Sequence, residues 1–236
     1  MRKDFESVIE QIYSAVGHPG QWEQVVRSVA TFTGAASGCI VSTSSQSSRG
    51  NVGCSHNIDP EWIRAYNQWY AGYDPTPALL AEQPNRVHVD HVTGPRLTGL
   101  GGDARVFYHE VMQPQDFRHT LHRGLSSKQA GSASLVLQRS ERQRAFSNQN
   151  VKALERIAPH LERALLLHAR CAGIEGVNQG LVAAIDRTHF GVVLLDGSGR
   201  IVHMNAIAES LLRHSQALQA TPDGLVARRM HENKAL

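Results

Sequence analysis

Residues 132–138 read Ser-Ala-Ser-Leu-Val-Leu-Gln, a short apolar run with polar residues at both ends. Its length and its Leu135-Val136-Leu137 centre are typical of a buried β-strand. The preceding segment, Phe117–Leu125, alternates loosely between apolar and polar residues, which is the pattern of a half-buried strand. We therefore predict that these two segments form an antiparallel pair.

A long helix is predicted directly after this pair, over residues 147–187. Ser147 is a typical N-cap, and apolar residues then recur at helical spacing at Val151, Leu154, Ile157, Ala158, Leu161, Ala164 and Leu165. The stripe is longer than one small sheet can cover, so we expect part of it to pair with a second copy of the chain. Packing on its own domain alone is the alternative.

Two helices and a hairpin are predicted before residue 57. Apolar residues at i, i+3, i+4 and i+7 indicate one helix over residues 5–16 and another over residues 22–32, which Gly34 closes. The segments 37–42 and 51–56 follow as the two strands of a hairpin.

An aromatic cluster occupies the next predicted helix, which begins at Asp59-Pro60-Glu61 with Asp as the N-cap and Pro in the first turn. The cluster consists of Trp62, Tyr66, Trp69, Tyr70 and Tyr73, and Asp74 follows it. Aromatic walls with one or two polar groups are what a small-molecule pocket needs. Alternatively, the aromatic residues are divided between core and interface, and Asp74 caps a turn.

Three further elements are predicted between this cluster and the strand pair. They are a strand over residues 86–92, a glycine-rich loop over residues 94–102 and a short helix from Asp103 to Met112. The short helix carries Phe107 and Tyr108, whose predicted role is core packing against the sheet.

A new pattern begins after residue 190. Residues 191–195 read Gly-Val-Val-Leu-Leu, which predicts a buried strand, and Asp196-Gly197-Ser198-Gly199 predicts a tight hairpin turn. Residues 200–204 form the returning strand, and Asn205 caps a short helix. This stretch resembles the opening of a PAS domain, in which an Asn caps the helix after the first hairpin.

The order of elements in the first part resembles a GAF-type sensor domain. The segments Phe107-Tyr108-His109-Glu110 and Ala158-Pro159-His160-Leu161-Glu162-Arg163 resemble the first domain of a subgroup of bacterial LuxR-type regulators. This resemblance implies an α+β fold with three parts. They are a GAF-like domain with a central antiparallel sheet flanked by helices (1–146), a connecting and dimerisation helix (147–187) and a partial PAS-like α+β unit (188–236).

The same resemblance implies a ligand site. In acyl-homoserine-lactone receptors of the LuxR class, a Trp, a Tyr four residues later and a following Asp-Pro line the ligand pocket, and Trp62, Tyr66 and Asp74-Pro75 are similar. We expect Trp62, Tyr66, Trp69, Tyr70, Asp74 and Tyr108 to contact an unknown small-molecule effector. In this family a helix-turn-helix domain contacts DNA, and we expect DNA binding only through such a domain outside these 236 residues.

Composition excludes several other classes. The formal net charge is +3, from 24 Lys and Arg against 21 Asp and Glu, too small to predict a nucleic-acid-binding face. Three Cys favour a reducing compartment over a disulfide framework. The sequence contains no apolar run of membrane-spanning length and no signal peptide, so we expect a cytoplasmic protein without membrane contact.

No catalytic or metal-binding constellation is predicted, and we expect neither an enzyme nor a cofactor. The clusters His88-Val89-Asp90-His91 and His119–His122 lack the ligand count of a zinc site. Asp74 with His119 is the one acid-base pairing worth testing. The prediction is a ligand-sensing and dimerisation region of a LuxR-type regulator; the alternative is a ligand-free dimerisation or protein-interaction module.

Overall fold

The computed structural model describes residues 4–44, 47–77, 80, 86–90, 102–125 and 132–229. The chain divides into two compact units, Met1–Cys171 and Ala172–Leu236. In the parts of the chain that the model describes, no helix combines the length and the apolar character needed to cross a membrane.

The first unit alternates helices with five strands. In chain order the elements are α1 (Phe5–Ser14), a 3-10 turn (Pro19–Gln21), α2 (Trp22–Thr33), β1 (Ser37–Ser44), β2 (Ser47–His56), α3 (Pro60–Gln68), a 3-10 turn (Tyr70–Gly72), β3 (Val87–Asp90), α4 (Gly102–Phe107), a π-helical turn (Tyr108–Met112), β4 (His119–Gly124), β5 (Ser132–Arg139) and α5 (Asn148–Asp186). The predicted helices, hairpin and strand pair of this part are therefore present. Residues 91–101, which include most of the predicted glycine-rich loop, lie outside the described residues.

Local signals explain where the first helices begin and end. The Asp4 side chain accepts a hydrogen bond from the backbone N–H of Ser7 at 2.8 Å, which caps α1. Gly34 ends α2 with a φ of +73°, a left-handed conformation that favours glycine.

The five strands form one antiparallel sheet in the order β2-β1-β5-β4-β3. The predicted strand pair is β4 with β5, in which Leu121 lies opposite Leu137. The central strand β5 also pairs with β1. The run containing Leu135, Val136 and Leu137 therefore joins the β2–β1 hairpin to the β4–β3 pair.

One face of the sheet carries the hydrophobic core. Side chains alternate between faces along a strand, and the core face is fully packed by residues of α1, α2 and α5. Its largest completely buried members are Val8, Ile12, Val25, Val26, Val29, Leu121, Leu135, Leu137, Leu154, Ile157 and Leu161. We refer to this as the core face and to the other as the open face.

The open face holds a smaller apolar cluster and several polar residues. Its sheet residues include Cys39, Val41, Thr120, His122, Val136 and Gln138, and its cover includes Tyr66, Phe107, Val111 and Met112. In β2 the pairing shifts between Cys54 and Val52, which leaves Gly53 as the extra residue of a bulge. Cys54 therefore packs on the core face, whereas Val52 packs on the open face.

Helix α5 is the long helix predicted over residues 147–187. At its start, the Asn150 side chain accepts hydrogen bonds from the backbone N–H and the hydroxyl of Ser147, both at 2.8 Å. Asn150 Nδ2 also donates to the Thr33 carbonyl at 2.8 Å. These bonds attach the first turn of α5 to the end of α2.

The second unit contains two hairpins around a short helix. They are β6 (Val193–Leu195) with β7 (Ile201–Met204), then α6 (Ala206–His214), and β8 (Leu218–Thr221) with β9 (Gly224–Ala227). Asn205 caps α6 by accepting from the Ala208 N–H at 2.9 Å, as predicted, and it is buried. The β8–β9 hairpin was not predicted from the sequence.

The prediction of a buried strand over residues 191–195 is wrong. Only Val193–Leu195 form a strand, and Leu194 and Leu195 are 38% and 48% exposed. The residues are apolar as expected, but they belong to a two-stranded sheet, which has too few neighbouring elements to bury them.

Arg139, at the end of β5, connects three segments of the first unit. Its guanidinium donates to the carbonyls of Gly34 (2.7 Å), Arg144 (2.9 Å), Ala145 (3.2 Å) and Thr33 (3.3 Å). It also lies 4.1 Å from the centre of the Phe146 ring. The cation thus satisfies carbonyls at the C-terminus of α2 and fixes the approach to α5.

We predict that Arg139→Lys destabilises the first unit by about 2 kcal/mol, because an ammonium cannot reproduce the planar set of donors. Urea denaturation followed by circular dichroism measures this change. The matched control is Arg142→Lys, an exposed position three residues later. Equal stability of the two variants would contradict the role of Arg139.

Candidate functional site

A cavity of about 650 Å³ lies against the open face of the sheet. Its floor is formed by residues of β1, β4 and β5, and α3 and the helical turns after residue 102 contribute its walls. The lining residues include Cys39, Val41, Thr120, His122, Val136 and Gln138 from the sheet, and Trp62, Ile63, Tyr66, Asp74, Phe107, Val111 and Met112 from the walls. The cavity also reaches the core side of the edge strand β3, where it is bordered by Val87 and Val89 and by Asn148, Val151 and Glu155 in the first turns of α5.

A tyrosine–carboxylate pair is the central polar feature of the wall. The Asp59 side chain caps α3 by accepting from the Glu61 N–H at 2.8 Å, and this start orients Tyr66 toward the sheet. The Tyr66 hydroxyl donates to Asp74 Oδ2 at 2.7 Å, and the Thr76 N–H donates to Asp74 Oδ1 at 2.8 Å. Both oxygens of the carboxylate are therefore oriented by fixed donors.

Burial dominates the electrostatics of this pair. It raises the pKa of Asp74, against the opposing effect of the hydrogen bonds from Thr76 and Tyr66. Burial and the nearby Asp74 charge also raise the pKa of Tyr66, so the phenol keeps its proton and remains a donor. Burial, with a smaller contribution from Asp74, raises the pKa of Cys39 to about 12, which leaves a neutral thiol at physiological pH.

Gly50 in β2 makes room for the tyrosine. A Cβ atom at this position would lie 2.6 Å from the Tyr66 hydroxyl and 2.7 Å from Cγ1 of Val41. Any larger residue would push Tyr66 away from the sheet. The absence of a side chain at Gly50 is thus a steric requirement of the Tyr66–Asp74 hydrogen bond.

Three of the six predicted ligand contacts line the cavity: Trp62, Tyr66 and Asp74. Trp69 does not, because α3 ends at Gln68 and the indole is 72% exposed. The helical spacing that placed Trp69 beside Tyr66 holds only while the helix continues.

Tyr70 and Tyr108 are also absent from the lining. The Tyr70 hydroxyl donates to Glu110 Oε2 at 3.1 Å. The Tyr108 hydroxyl accepts from Arg118 Nη1 at 2.6 Å. Both rings are partly buried and pack against the apolar cluster of the open face, so they contact the residues of the cavity wall and not the cavity itself.

The polar residues of the floor were missed by the sequence analysis. Thr120 and His122 in β4 and Gln138 in β5 line the cavity and are buried. A signal for them exists in the sequence, because polar residues at alternate positions of a strand mark a face that is not part of the apolar core. That alternation is loose in β4 and is interrupted by Val136 in β5.

His122 is the most unusual of these residues. Its Nε2 lies 2.6 Å from Oγ1 of Thr120, while its buried Nδ1 has no hydrogen-bond partner among the described residues. Burial, helped by the neighbouring His88, lowers the pKa of His122 to about 4. The imidazole is therefore neutral at physiological pH.

The histidines of the cavity are His88 and His122. His119, which we paired with Asp74 as a possible acid-base couple, shares the core face of β4 with Leu121. Within the described residues, no group of three or more His, Cys, Asp or Glu side chains is arranged to hold a metal ion. Asp74 instead accepts hydrogen bonds from Tyr66 and Thr76.

Comparison with known proteins identifies the fold. No protein-family model matches the sequence, and no curated protein matches it. The structure is similar to the phycoerythrobilin-bound GAF domain from a cyanobacterial phytochrome, with a TM-score of 0.53, 14% identity, and coverage of 71% of this chain and 97% of that one.

Two further solved structures resemble this chain. One is the VqsR LBD domain from Pseudomonas aeruginosa, with a TM-score of 0.50, 12% identity, and coverage of 71% and 97% of the two chains. The other is the GAF domain from a phosphoenolpyruvate-protein phosphotransferase of Coxiella burnetii, with a TM-score of 0.50, 13% identity and coverage of 72% and 96%. The predicted α+β GAF-like fold, with a central antiparallel sheet flanked by helices, is confirmed.

We predict that Gly50→Ala breaks the Tyr66–Asp74 hydrogen bond and costs about 1–3 kcal/mol of unfolding free energy, because the added methyl group meets the phenol. Gly53→Ala is the matched control in the same strand, since a Cβ atom there has nothing within 4 Å. Chemical denaturation of both variants measures the difference. Similar losses in the two variants would show that Gly50 has no special role.

Proposed function

We propose that the first unit senses a small molecule, which binds in the cavity on the open face of the sheet. The observation that carries this proposal is the 650 Å³ cavity with a buried carboxylate oriented by fixed donors. Ligand pockets are typically about 300–1,000 Å³, mostly apolar, with a few placed polar groups. The LBD domain among the similar structures agrees with this proposal.

Asp74 is the anchor for the ligand. A carboxylate has about four lone-pair sites, and the Tyr66 hydroxyl, the Thr76 N–H and the Thr76 side chain occupy three of them. The remaining site can accept a hydrogen bond from a ligand N–H or O–H group. Trp62 supplies an apolar surface beside this anchor, as the resemblance to the acyl-homoserine-lactone receptors implies.

Ligand binding is communicated through α5. Asn148, Val151 and Glu155 border the cavity, so a bound molecule contacts the first turns of this helix directly. Asn150 and Arg139 hold the same region against the end of α2. A ligand that fits one position of these turns better than another shifts the population between them.

The later part of α5 forms a homodimer with a second copy of the chain. Ile174, Val177 and Leu181 are 63%, 63% and 58% exposed. Their spacing of three and four residues is that of a coiled-coil seam. Gly173, Gly176 and Gly180 each weaken the isolated helix by about 1 kcal/mol relative to Ala, which favours a partner that stabilises it.

In this proposal the chain is the cytoplasmic sensory region of a LuxR-type transcriptional regulator, without enzymatic activity. The PAS-like unit follows α5, and DNA is contacted by a domain outside these 236 residues. The sequence resemblance to that family supports this assignment. The alternative is a ligand-free dimerisation module, which the exposed apolar residues of α5 alone would also explain.

The ligand proposal predicts that members of a neutral metabolite library raise the thermal unfolding temperature of the wild-type chain. A ligand at one hundred times its Kd stabilises the protein by about 2.7 kcal/mol. Asp74→Asn should weaken binding about tenfold or more by removing the anchoring charge. Asp103→Asn, an exposed acid in α4, is the control. Absence of any stabilising compound, or equal binding by Asp74→Asn, would contradict the proposal.

The dimer proposal predicts that Val177→Lys converts a dimer into a monomer, because the substitution buries a charge in the seam. Sedimentation velocity measures the mass directly. Gln179→Lys adds the same charge at an exposed position two residues later and should leave the dimer intact. A monomeric wild type, or a dimeric Val177→Lys, would exclude this seam.

A further inference from the structure

A second polar end of the cavity lies across the sheet from Asp74. The strand registers place Cys39 opposite Val136, Val136 opposite His122, and His122 opposite His88. These residues therefore form one row across the floor. Asp74 adjoins the Cys39 end of this row, close enough to raise the pKa of the Cys39 thiol.

The length of the row is set by the spacing of the strands. Neighbouring strands lie about 4.8 Å apart, so His122 is about 10 Å from Cys39, two strands away. The floor between them is Val136, and Phe107, Val111 and Met112 line the walls of the cavity. Along this row the two polar ends are thus separated by the apolar side chain of Val136, and Gln138 lies beside Val136 on the same face of β5.

His122 has hydrogen-bonding capacity that the described residues do not use. Its ring is about nine-tenths buried, Nε2 is engaged by Thr120, and Nδ1 has no partner among the described residues. Burying a polar atom without a partner costs free energy that a ligand hydrogen bond would recover. Because burial lowers its pKa to about 4, the ring is neutral and cannot attract a negatively charged group.

We infer that the ligand is a bipolar molecule with a hydrogen-bonding group at each end of a largely apolar skeleton. One group donates to Asp74, and His122 recognises the other. This inference rests on the proposed function, because it assumes that the cavity is the ligand site. It makes His122 a specificity-determining residue that sequence analysis did not find.

Linear alcohols are suitable probes for this inference. The test measures, by isothermal titration calorimetry on the full chain, the affinities of α,ω-alkanediols of increasing length and of 1-alkanols with the same carbon numbers. The expected result is one preferred diol length that binds about tenfold more tightly than its 1-alkanol, the gain of one buried hydrogen bond.

Variants of His122 assign the second polar contact. His122→Phe should reduce the preference for the diol to within about twofold while 1-alkanol affinity is kept, because the ring shape remains and the hydrogen bond is lost. His122→Gln should restore part of the preference. His119→Phe, the same substitution on the core face of the same strand, should keep all of it. Thermal unfolding of each variant without probe shows that it is folded.

The outcomes separate this inference from the proposed function. Diols that bind no better than 1-alkanols, in a protein that library compounds still stabilise, would overturn the bipolar ligand and leave the cavity as a sensor site. A diol preference that His122→Phe does not change would overturn the role of His122. A protein that binds neither the alcohols nor any library compound would overturn both.

Discussion

The two faces of the five-stranded sheet are filled unequally, and this difference determines both the core and the candidate site. On the core face, α1, α2 and α5 bury Leu121, Leu135 and Leu137 completely. The open face has a thinner cover, and part of its area borders the cavity. Stability and binding are thus divided between opposite sides of the same strands.

The open face differs from the core face in chemistry as well as in packing. Thr120, His122 and Gln138 alternate along β4 and β5 with the leucines of the core. Burying polar groups costs free energy unless they find partners. Packing this floor into a second apolar core would leave its polar groups without partners. The same groups can bind a polar molecule. The same reasoning explains why Asp74 is buried beside Tyr66 rather than exposed to solvent.

Local patterns predicted most of the fold. Helical periodicity, the Asp59-Pro60 helix start and the Gly34 helix end each depend on neighbouring residues, and the structure agrees with them. The exposure of Leu194 and Leu195 was not predicted, because it depends on how many elements cover a strand. The β8–β9 hairpin was missed because its strands, Leu218–Thr221 and Gly224–Ala227, contain no aromatic residue and only one β-branched residue each.

The candidate site was predicted only in part, because a pocket depends on long-range pairing. Trp62, Tyr66 and Asp74 line the cavity together because they lie within one helix and its following turn. Trp69 lies outside the lining because the helix ends at Gln68, before the predicted end near Gly72. Gly50 and His122 contribute through contacts with distant segments, which residue spacing alone does not reveal.

If a molecule bound in the cavity on the open face is coupled to the first turns of α5, it should change amide exchange in both places. Amide hydrogen–deuterium exchange of the wild-type chain, with and without a saturating stabilising compound, measures this coupling. We expect slower exchange both in the floor strands β4 and β5 and over residues 148–155. Slower exchange in the strands with no change over residues 148–155 would contradict the coupling, and no change in either would contradict binding at this face.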